Sequence, residues 1–266
     1  MRRLFRTTKL KSIKALIIDM DGVIWRGEEP IGDLPFIFSE FDRRGVKIIL
    51  ATNNATLSVD QYLKKLSRFG VRLESWQIIN SPLAVASYLQ KQFPQGGPVF
   101  NVGEEGLVNT LLEFGFYQAD RDILAVIVGL DRGLTYDKLK QAALLIRSGK
   151  PFIATNPDRT LPTPQGFVPG AGSILAALEA ATDVKPVVIG KPSPEMYRVA
   201  LERLGITPNE VLVVGDRLET DIAGAQALGC YTALVLTGVS SIEDAARWNP
   251  QPDLIVDELS SVLEVL

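Results

Sequence analysis

The 266-residue chain contains no histidine and a single cysteine, Cys230. Without histidine, the chain cannot use Ser-His-Asp or Cys-His catalysis, imidazole zinc ligands or phosphohistidine intermediates. One cysteine excludes an intrachain disulfide and a cysteine-rich metal site. Any chemistry must therefore depend on carboxylates, lysine, threonine and asparagine, with or without a hard metal ion.

Long apolar runs are also missing, because the longest one near the N-terminus, Ala15–Ile18, ends at Asp19. We therefore expect neither a signal peptide nor a membrane span, and we predict a cytoplasmic protein with no membrane partner. The net charge of −3 gives no reason to expect nucleic acid as a partner. The N-terminal arm, residues 1–14, has six Lys or Arg and no acid. We interpret it as a solvated tail, with a membrane or partner contact as the alternative.

Short apolar segments alternate with amphipathic segments along the whole chain. The apolar segments predict strands, and their continuous hydrophobicity is typical of parallel strands that are buried on both faces. The predicted strands are Ala15–Ile18, Val46–Ala51, Pro98–Val102, Leu124–Val128, Phe152–Ala154, Val187–Ile189, Val211–Val214, Thr232–Leu236 and Leu254–Val256. Helices are predicted between them, for example Leu34–Arg44 after Asp33. The alternation predicts an α/β fold with a Rossmann-like, doubly wound parallel sheet.

The domain organisation is suggested by two segments rich in proline and glycine, residues 92–98 and 157–172. They lie near the ends of a middle block that has strands and helices of its own. We therefore predict an inserted α/β domain over residues 81–168, between core segments 1–80 and 169–266.

Two carboxylates, Asp19 and Asp21, directly follow the first predicted strand. Ligands of doubly wound sheets bind at the carboxyl ends of strands, and residues i and i+2 of an extended segment face the same way. Two carboxylates so close together repel each other unless a cation or a proton intervenes. An all-oxygen site of this kind suits Mg²⁺, although solvated loop carboxylates are the alternative for this motif alone.

Three further polar clusters follow predicted strands. Thr52 and Asn53 offer a hydroxyl and backbone N–H groups for an anion, or form an ordinary turn. Lys191 is followed by Pro192 and Pro194, which restrict the backbone around it and start a helix near residue 195, although a solvated lysine is the alternative. Asp216 is predicted to complete a metal site, whereas Asp221 either supports that site or caps a helix.

The four clusters are more informative together than separately. Each follows an apolar strand, so the fold itself is expected to gather them at one edge of the sheet. The set provides a nucleophile, a second carboxylate, an anion seat, a cation and a further metal ligand. This combination is what phosphoryl transfer requires.

In the order and spacing of its motifs, the sequence resembles the haloacid dehalogenase-like (HAD) superfamily, and within it the NagD-like or para-nitrophenyl phosphatase branch. The resemblance extends over most of the chain. The motifs that carry it are DMDGVIWRG, ATNNA, VGLDRGLTY, ATNPD, PGAGS, GKPSPEMY and VGDRLETDI.

This resemblance implies a role for each matching residue. Asp19 is expected to be the nucleophile that becomes a phosphoaspartate, and Asp21 is expected to protonate the leaving oxygen and then deprotonate water. Thr52, Asn53 and Lys191 are expected to bind the phosphoryl group. Mg²⁺ is expected on Asp19, the backbone carbonyl of Asp21, and Asp216, with Asp221 in support. The inserted domain corresponds to the cap of that family.

The expected function is Mg²⁺-dependent hydrolysis of small phosphate monoesters, with phosphoglycolate-, sugar- or para-nitrophenyl-phosphate-like substrates. The alternative is a non-catalytic phospho-ligand-binding protein on the same scaffold. Homodimerisation through the cap is compatible with either. Arg132, Asn156 and Asp158 are candidate specificity residues, and Arg132 is suited to a substrate carboxylate. Trp25 either lines the entrance to the site or packs in the core.

Overall fold

The computed structural model describes residue 10, residues 13–163 and residues 166–266. Most of the basic N-terminal arm, which the sequence predicts to be a solvated tail, therefore lies outside the described residues. The strands are β1 (Ala15–Ile18), β2 (Trp25–Arg26), β3 (Glu29–Pro30), β4 (Lys47–Thr52), β5 (Ile78–Asn80), β6 (Gly97–Val102), β7 (Phe116–Gln118), β8 (Val126–Val128), β9 (Phe152–Ala154), β10 (Thr160–Thr163), β11 (Gly166–Pro169), β12 (Val187–Val188), β13 (Val211–Gly215), β14 (Tyr231–Val235) and β15 (Leu254–Val256).

The helices lie between these strands, as the alternating pattern predicts. They are α1 (Leu34–Arg43), α2 (Val59–Arg68), α3 (Ser81–Gln92), α4 (Glu105–Glu113), α5 (Tyr136–Arg147), α6 (Ala171–Thr182), α7 (Pro194–Leu204), α8 (Ala223–Leu228) and α9 (Ile242–Arg247). No helix within the described ranges combines the length and apolar character needed to cross a bilayer.

The chain divides into two compact units. The first contains the described residues up to 52 together with residues 59–79 and 191–266, and the second contains residues 53–58 and 80–190. The sequence places the end of the insertion at residue 168, but the second unit continues to Gly190. The reason is that α6 packs its apolar face into the core of the second unit. Ile174, Leu175 and Leu178 lie there in one cluster with side chains of β6, β8 and β9.

The first unit is built on a six-stranded sheet in the order β15-β14-β13-β1-β4-β5. Strand β1 lies between β13 and β4 and is parallel to both. Strands β4 and β5 lie on one side of β1 in the sheet, and β13, β14 and β15 lie on its other side. The strand order therefore reverses between β1 and β13, and this switch point is where doubly wound sheets bind their ligands.

Local sequence accounts for the helices that cover this sheet. The carboxylate of Asp33 accepts a hydrogen bond from the Phe36 backbone N–H, which caps α1 at its N-terminus. Helix α7 begins at Pro194, after its cap residue Ser193, in agreement with the predicted start near residue 195. These ends fix where the loops on either side of each helix begin.

The second unit contains a five-stranded sheet in the order β12-β9-β8-β6-β7, with all of its strand pairs parallel. Helix α5 begins after Thr135, whose hydroxyl accepts from the Lys138 N–H, as the sequence predicts. Both units are therefore α/β sheets, and the predicted fold class is confirmed.

Candidate active site

Three carboxylates converge at the switch point of the first unit. Asp19 directly follows β1, and its backbone N–H donates to the Val214 carbonyl of β13 at 2.8 Å. Asp216 directly follows β13, so the parallel pairing of the two strands brings both side chains to the same level. Asp221 joins them from the next turn. One carboxylate oxygen from each of the three lies within 4.8 Å of the others.

Lys191 is the cation of this cluster and is only 3 % exposed. Its ammonium donates to a carboxylate oxygen of Asp19, to the Ala51 carbonyl at 3.0 Å and to Asp221 Oδ1 at 2.6 Å. The ammonium carries three N–H groups and can therefore donate to several acceptors at once. The side chain thereby connects the ends of β1 and β4 with the turn that carries Asp221.

Asp221 is held by the turn between β13 and α8. This turn, Leu218–Ile222, has the wide winding of a π-helix, which is common at functional sites. Asp221 Oδ2 accepts from the Arg217 backbone N–H at 3.1 Å, and the Asp221 carbonyl accepts from the Tyr197 hydroxyl at 3.1 Å. A Cβ on Gly215 would lie 2.2 Å from the Asp221 side chain. Glycine at this position is therefore what lets Asp221 approach the strand.

Asp216 is held by the loop Thr237–Ser240, which follows β14. Its Oδ2 accepts from the Val239 backbone N–H at 2.8 Å, and its carbonyl accepts from the Ser240 N–H at 2.9 Å. A Cβ on Gly238 would lie 1.8 Å from Asp216 Oδ2, so only glycine fits there. The other oxygen, Asp216 Oδ1, is buried and has no hydrogen-bond partner among the described residues.

Burial and like charge dominate the electrostatics of the cluster. Burial raises the pKa of Asp19 well above its ordinary value, the neighbouring Asp221 and Asp216 raise it further, and Lys191 acts in the opposite direction. Burial, followed by the charge of Asp221, raises the pKa of Asp216 to about 6. Burial alone would lower the pKa of Lys191, but Asp19 and Asp221 outweigh it and the net pKa is raised. Lys191 is therefore charged at neutral pH.

The donor set fits a divalent cation. When ionised, the three carboxylates carry three negative charges against the single positive charge of Lys191. The surplus of two matches the charge of one divalent ion, and carboxylate oxygens are the ligands that Mg²⁺ prefers. The unpartnered Oδ1 of Asp216 is the buried oxygen that such an ion would satisfy.

Asp21 and Thr52 also lie in the first unit, with different exposure. Asp21 is exposed, and its Oδ1 accepts from the Trp25 indole Nε1 at 2.9 Å. Thr52 is the last residue of β4 and is 2 % exposed, with its side chain hydrogen-bonded to the Tyr62 hydroxyl. Trp25 itself is 1 % exposed, so it packs in the core and does not line an entrance.

The remaining predicted residues belong to the second unit. Asp158 Oδ2 accepts from Nδ2 of Asn156 at 2.5 Å and from Nδ2 of Asn53 at 3.4 Å. Arg132 forms a two-pronged ion pair with Glu104, in which its Nε and one terminal nitrogen each lie 2.7 Å from a carboxylate oxygen. The guanidinium expected to bind a substrate carboxylate is thus already paired with an internal one.

The sequence reasoning missed the loop that holds Asp216. Thr237, Gly238, Val239 and Ser240 directly follow the predicted strand Thr232–Leu236. The pattern of polar residues after an apolar strand, which identified the other four clusters, applies here as well. The loop also contacts the first motif, because the Thr237 hydroxyl donates to the Gly22 carbonyl at 2.5 Å.

Comparisons with known proteins agree with this architecture. A family model described as haloacid dehalogenase-like hydrolase matches residues 16–117, and one described as HAD-hydrolase-like matches residues 188–262. An acid sugar phosphatase of Staphylococcus aureus (strain MRSA252) is 36% identical over 258 residues, which cover 97% of this chain and 99% of that protein.

Solved structures of related proteins are similar to this chain over nearly its whole length. The p-nitrophenyl phosphatase of Archaeoglobus fulgidus aligns with a TM-score of 0.90 and 35% identity, covering 96% of this chain and 99% of that one. NagD of E. coli K-12 has a TM-score of 0.89 and 31% identity, covering 96% and 99%. The glycerol phosphate phosphatase Rv1692 of Mycobacterium tuberculosis, solved in complex with magnesium, has a TM-score of 0.88 and 36% identity, covering 95% and 77%.

A doubly wound sheet with a carboxylate cluster at its switch point, combined with relatives of this similarity, defines the class of protein. The chain belongs to the haloacid dehalogenase-like hydrolase family. Within that family its relatives place it in the NagD-like or para-nitrophenyl phosphatase branch, and it is a phosphatase. The predicted family, fold and enzyme class are therefore confirmed, in preference to the non-catalytic alternative.

Proposed function

We propose that this phosphatase hydrolyses small phosphate monoesters in a Mg²⁺-dependent reaction through a phosphoaspartate on Asp19. The observation that carries the proposal is the buried cluster of Asp19, Asp216, Asp221 and Lys191, with one Asp216 oxygen left without a partner. Such a cluster is costly to keep in a folded protein unless its charges are used.

Asp19 is the proposed nucleophile. One of its carboxylate oxygens attacks phosphorus, a P–O bond forms, and the bond to the leaving oxygen breaks. Asp21 is the proposed acid and base. It gives its proton to the leaving oxygen, then takes a proton from the water that attacks the phosphoaspartate, which returns both residues to their starting states. Covalent transfer divides one difficult hydrolysis into two easier steps.

The phosphoryl group is proposed to be bound by Thr52, Asn53 and Lys191. Thr52 and Asn53 are consecutive at the end of β4, and a hydroxyl and backbone N–H groups are the kinds of donor that an anion requires. Lys191 also pairs with Asp19, so its charge offsets the repulsion between that carboxylate and an incoming phosphate. A lysine in this position therefore supports both the binding of the phosphoryl group and the attack of Asp19 on it.

Mg²⁺ is the proposed cofactor, held by Asp19, Asp216 and the backbone carbonyl of Asp21, with Asp221 in support. When bound, it supplies positive charge that screens the phosphate from the carboxylates. Support for the ion comes from the charge surplus of the cluster and from a similar structure that was solved with magnesium. Because burial and the neighbouring carboxylates raise the pKa of Asp19, a bound cation would favour the ionised form of the nucleophile.

The proposed substrates are small phosphate monoesters of the sugar, glycerol or para-nitrophenyl type, after the names of the similar proteins. Phosphoglycolate, the further substrate type that the sequence suggests, differs from these in carrying a carboxylate. Arg132, Asn156 and Asp158 are the proposed specificity residues. The pairing of Arg132 with Glu104 reduces its capacity to bind a substrate carboxylate.

The test is phosphate release from a panel of monoesters by the parent protein and by Asp19→Asn, with and without Mg²⁺. The panel contains para-nitrophenyl phosphate, phosphoglycolate, glycerol 3-phosphate and a hexose phosphate. We expect Mg²⁺-dependent release by the parent and none by Asp19→Asn. Asp42→Asn, which changes an exposed carboxylate on α1, serves as the matched control and should retain full activity.

Phosphorylated enzyme provides the second measurement. Rapid quenching with labelled substrate is expected to give a hydroxylamine-sensitive label on the parent and on Asp42→Asn, because an acyl phosphate reacts with hydroxylamine. Asp19→Asn should carry no label. Release that persists in Asp19→Asn, or that is unaffected when Mg²⁺ is chelated, would contradict the proposal.

A further inference from the structure

Trp25 is held against Asp21 by a tight turn. The Gly22 N–H donates to the Trp25 carbonyl at 2.8 Å, and the Ile24 N–H donates to the Met20 carbonyl at 2.9 Å. This turn folds β2 back towards the end of β1. It places the Trp25 indole Nε1 2.9 Å from Asp21 Oδ1. An exposed carboxylate therefore has one oxygen fixed by a fully buried donor.

The indole is in turn fixed by one face of α2 and its C-terminal extension. The Tyr62 ring is stacked on the indole, with the ring centroids 6.2 Å apart and an angle of 7° between the planes. The Phe69 ring lies 6.1 Å away at 49°, and Lys65 Nζ lies 4.4 Å from the indole centroid. Tyr62, Lys65 and Phe69 follow the i, i+3, i+7 spacing of a single helix face.

Lys65 adds a second restraint on the same group. It is 7 % exposed, and its ammonium donates to the Gly27 carbonyl in the β2–β3 turn at 2.6 Å. This contact attaches the hairpin that carries Trp25 to α2. A cation over the face of an indole also draws charge from the ring, which strengthens the N–H as a hydrogen-bond donor.

The same aromatic stack reaches the proposed phosphate seat. The Tyr62 hydroxyl is hydrogen-bonded to the Thr52 side chain. Burial, and then the charge of Asp21, raises the pKa of Tyr62 well above its ordinary value, so its hydroxyl stays protonated. Asp21 and Thr52 thus contact the two ends of one stacked Trp–Tyr pair.

We propose that Trp25 is the positioning residue for Asp21, holding its Oδ1 so that the second oxygen is directed for proton transfer to the leaving group. This inference depends on the acid and base role proposed above for Asp21. A carboxylate rotates easily about its last bond, so fixing one oxygen sets the direction of the other. The indole is suited to this task because it can only donate and never competes for the transferred proton.

Trp25→Phe tests the proposal because it keeps an aromatic ring against Tyr62 while it removes the N–H donor, and the two substrates below control for the smaller volume of the new side chain. Two substrates separate positioning from general damage. Para-nitrophenolate leaves without being protonated, whereas the alkoxide of glycerol 3-phosphate needs a proton from Asp21. We expect kcat/KM for glycerol 3-phosphate to fall about 10-fold to 100-fold more than kcat/KM for para-nitrophenyl phosphate.

Two further variants serve as controls. Trp76→Phe makes the same chemical change at a half-exposed tryptophan of the same unit and should leave the ratio of the two kcat/KM values at the parent value. Tyr62→Phe keeps the stack but loses the hydroxyl that contacts Thr52. It is expected to raise KM for both substrates to a similar extent.

An equal loss on both substrates in Trp25→Phe, or no loss on either, would overturn the positioning role. Asp21→Ala distinguishes this failure from failure of the proposed function. If Asp21→Ala is inactive on glycerol 3-phosphate while Trp25→Phe resembles the parent, only the positioning role is wrong. If Asp21→Ala retains full activity on glycerol 3-phosphate, the acid role itself is wrong.

A spectroscopic measurement covers the case in which Trp25→Phe does not fold. The chain has three tryptophans, so an ¹⁵N-labelled sample gives three indole N–H signals. The Trp25 signal is expected downfield in the parent protein and should move upfield in Asp21→Ala, because the acceptor is lost. Three indole signals that are unchanged by Asp21→Ala would contradict the hydrogen bond on which the proposal depends.

Discussion

The metal-free protein should be less stable at neutral pH than at pH 4, and Asp216→Asn should remove part of this loss. The pKa of Asp216 rises from an ordinary 3.8 to about 6 in the folded protein. A carboxyl with a raised pKa binds its proton more tightly in the folded state, so the free energy of unfolding falls as the pH rises from about 4 to about 6. By about pH 7 the loss is nearly complete.

The magnitude follows from the size of the shift. A difference of about two pKa units corresponds to about 3 kcal/mol, at about 1.4 kcal/mol per unit. Asparagine resembles the protonated carboxyl, and its oxygen can still accept from the Val239 N–H. Asp216→Asn should therefore match the parent near pH 4 and be about 3 kcal/mol more stable than the parent near pH 7.5.

Urea unfolding in a chelator, followed by tryptophan fluorescence, is the appropriate assay. Trp25, Trp76 and Trp248 all belong to the first unit, so the signal reports the unit that contains the cluster. Asp42→Asn is the control and should follow the parent at every pH. A stability difference between Asp216→Asn and the parent that is the same at pH 4 and pH 7.5 would refute the reasoning. Adding Mg²⁺ at about 100 times its Kd should raise the free energy of unfolding of the parent by about 3 kcal/mol. The same Mg²⁺ concentration should stabilise Asp216→Asn by less, because that variant lacks one of the proposed ligands.

Three further predictions concern other parts of the structure. Gly238→Ala forces a Cβ against the carboxylate of Asp216, and calorimetry should show Mg²⁺ affinity reduced at least about 10-fold. Lys191→Gln leaves two buried carboxylates without their cation, and urea unfolding in a chelator should show a loss of about 3–5 kcal/mol. Glu104→Gln releases the charge of Arg132, and kinetics should show a higher kcat/KM for phosphoglycolate relative to glycerol 3-phosphate.

Each of the three has a control that the chain itself offers. Val239→Ala removes an exposed side chain but keeps the N–H that Asp216 accepts from, so Mg²⁺ affinity should not change. Lys140→Gln breaks an exposed ion pair on α5 and should leave the free energy of unfolding nearly unchanged. Arg132→Ala should not raise kcat/KM for phosphoglycolate relative to glycerol 3-phosphate, because it removes the guanidinium. If this ratio rises equally in Arg132→Ala and Glu104→Gln, the guanidinium has no role in binding the substrate carboxylate.

The sequence was most informative where an apolar strand is followed by polar residues. All nine predicted strands are present. Ala15–Ile18, Phe152–Ala154 and Leu254–Val256 have the predicted bounds, and the other six differ by small shifts at their ends. The convergence of Asp19, Asp216 and Asp221 follows from the same rule, because parallel strands end at a common edge. The proposed chemistry was therefore largely accessible from the order of the motifs.

Other features depend on contacts that the sequence does not reveal. Strand β7 was missed because only Phe116 of its three residues is buried, so no apolar run is visible. The end of the insertion was misplaced because the Pro- and Gly-rich segment around residue 160 forms the β10–β11 hairpin and the start of α6, not a linker. The hydrogen bond from Trp25 to Asp21 likewise depends on a turn and a helix face that meet only in the folded chain.

The places where the chain passes between its two units have a consequence for how such proteins can diversify. Two of these junctions, Thr52–Asn53 and Gly190–Lys191, directly adjoin residues of the proposed site. The described part of residues 81–190 adds no strand to the six-stranded sheet of the first unit. An insertion at these junctions can therefore change in length and sequence while the sheet that carries the carboxylates keeps its order. We expect new substrates to be acquired mainly by substitutions in the insertion, with the reacting groups inherited unchanged.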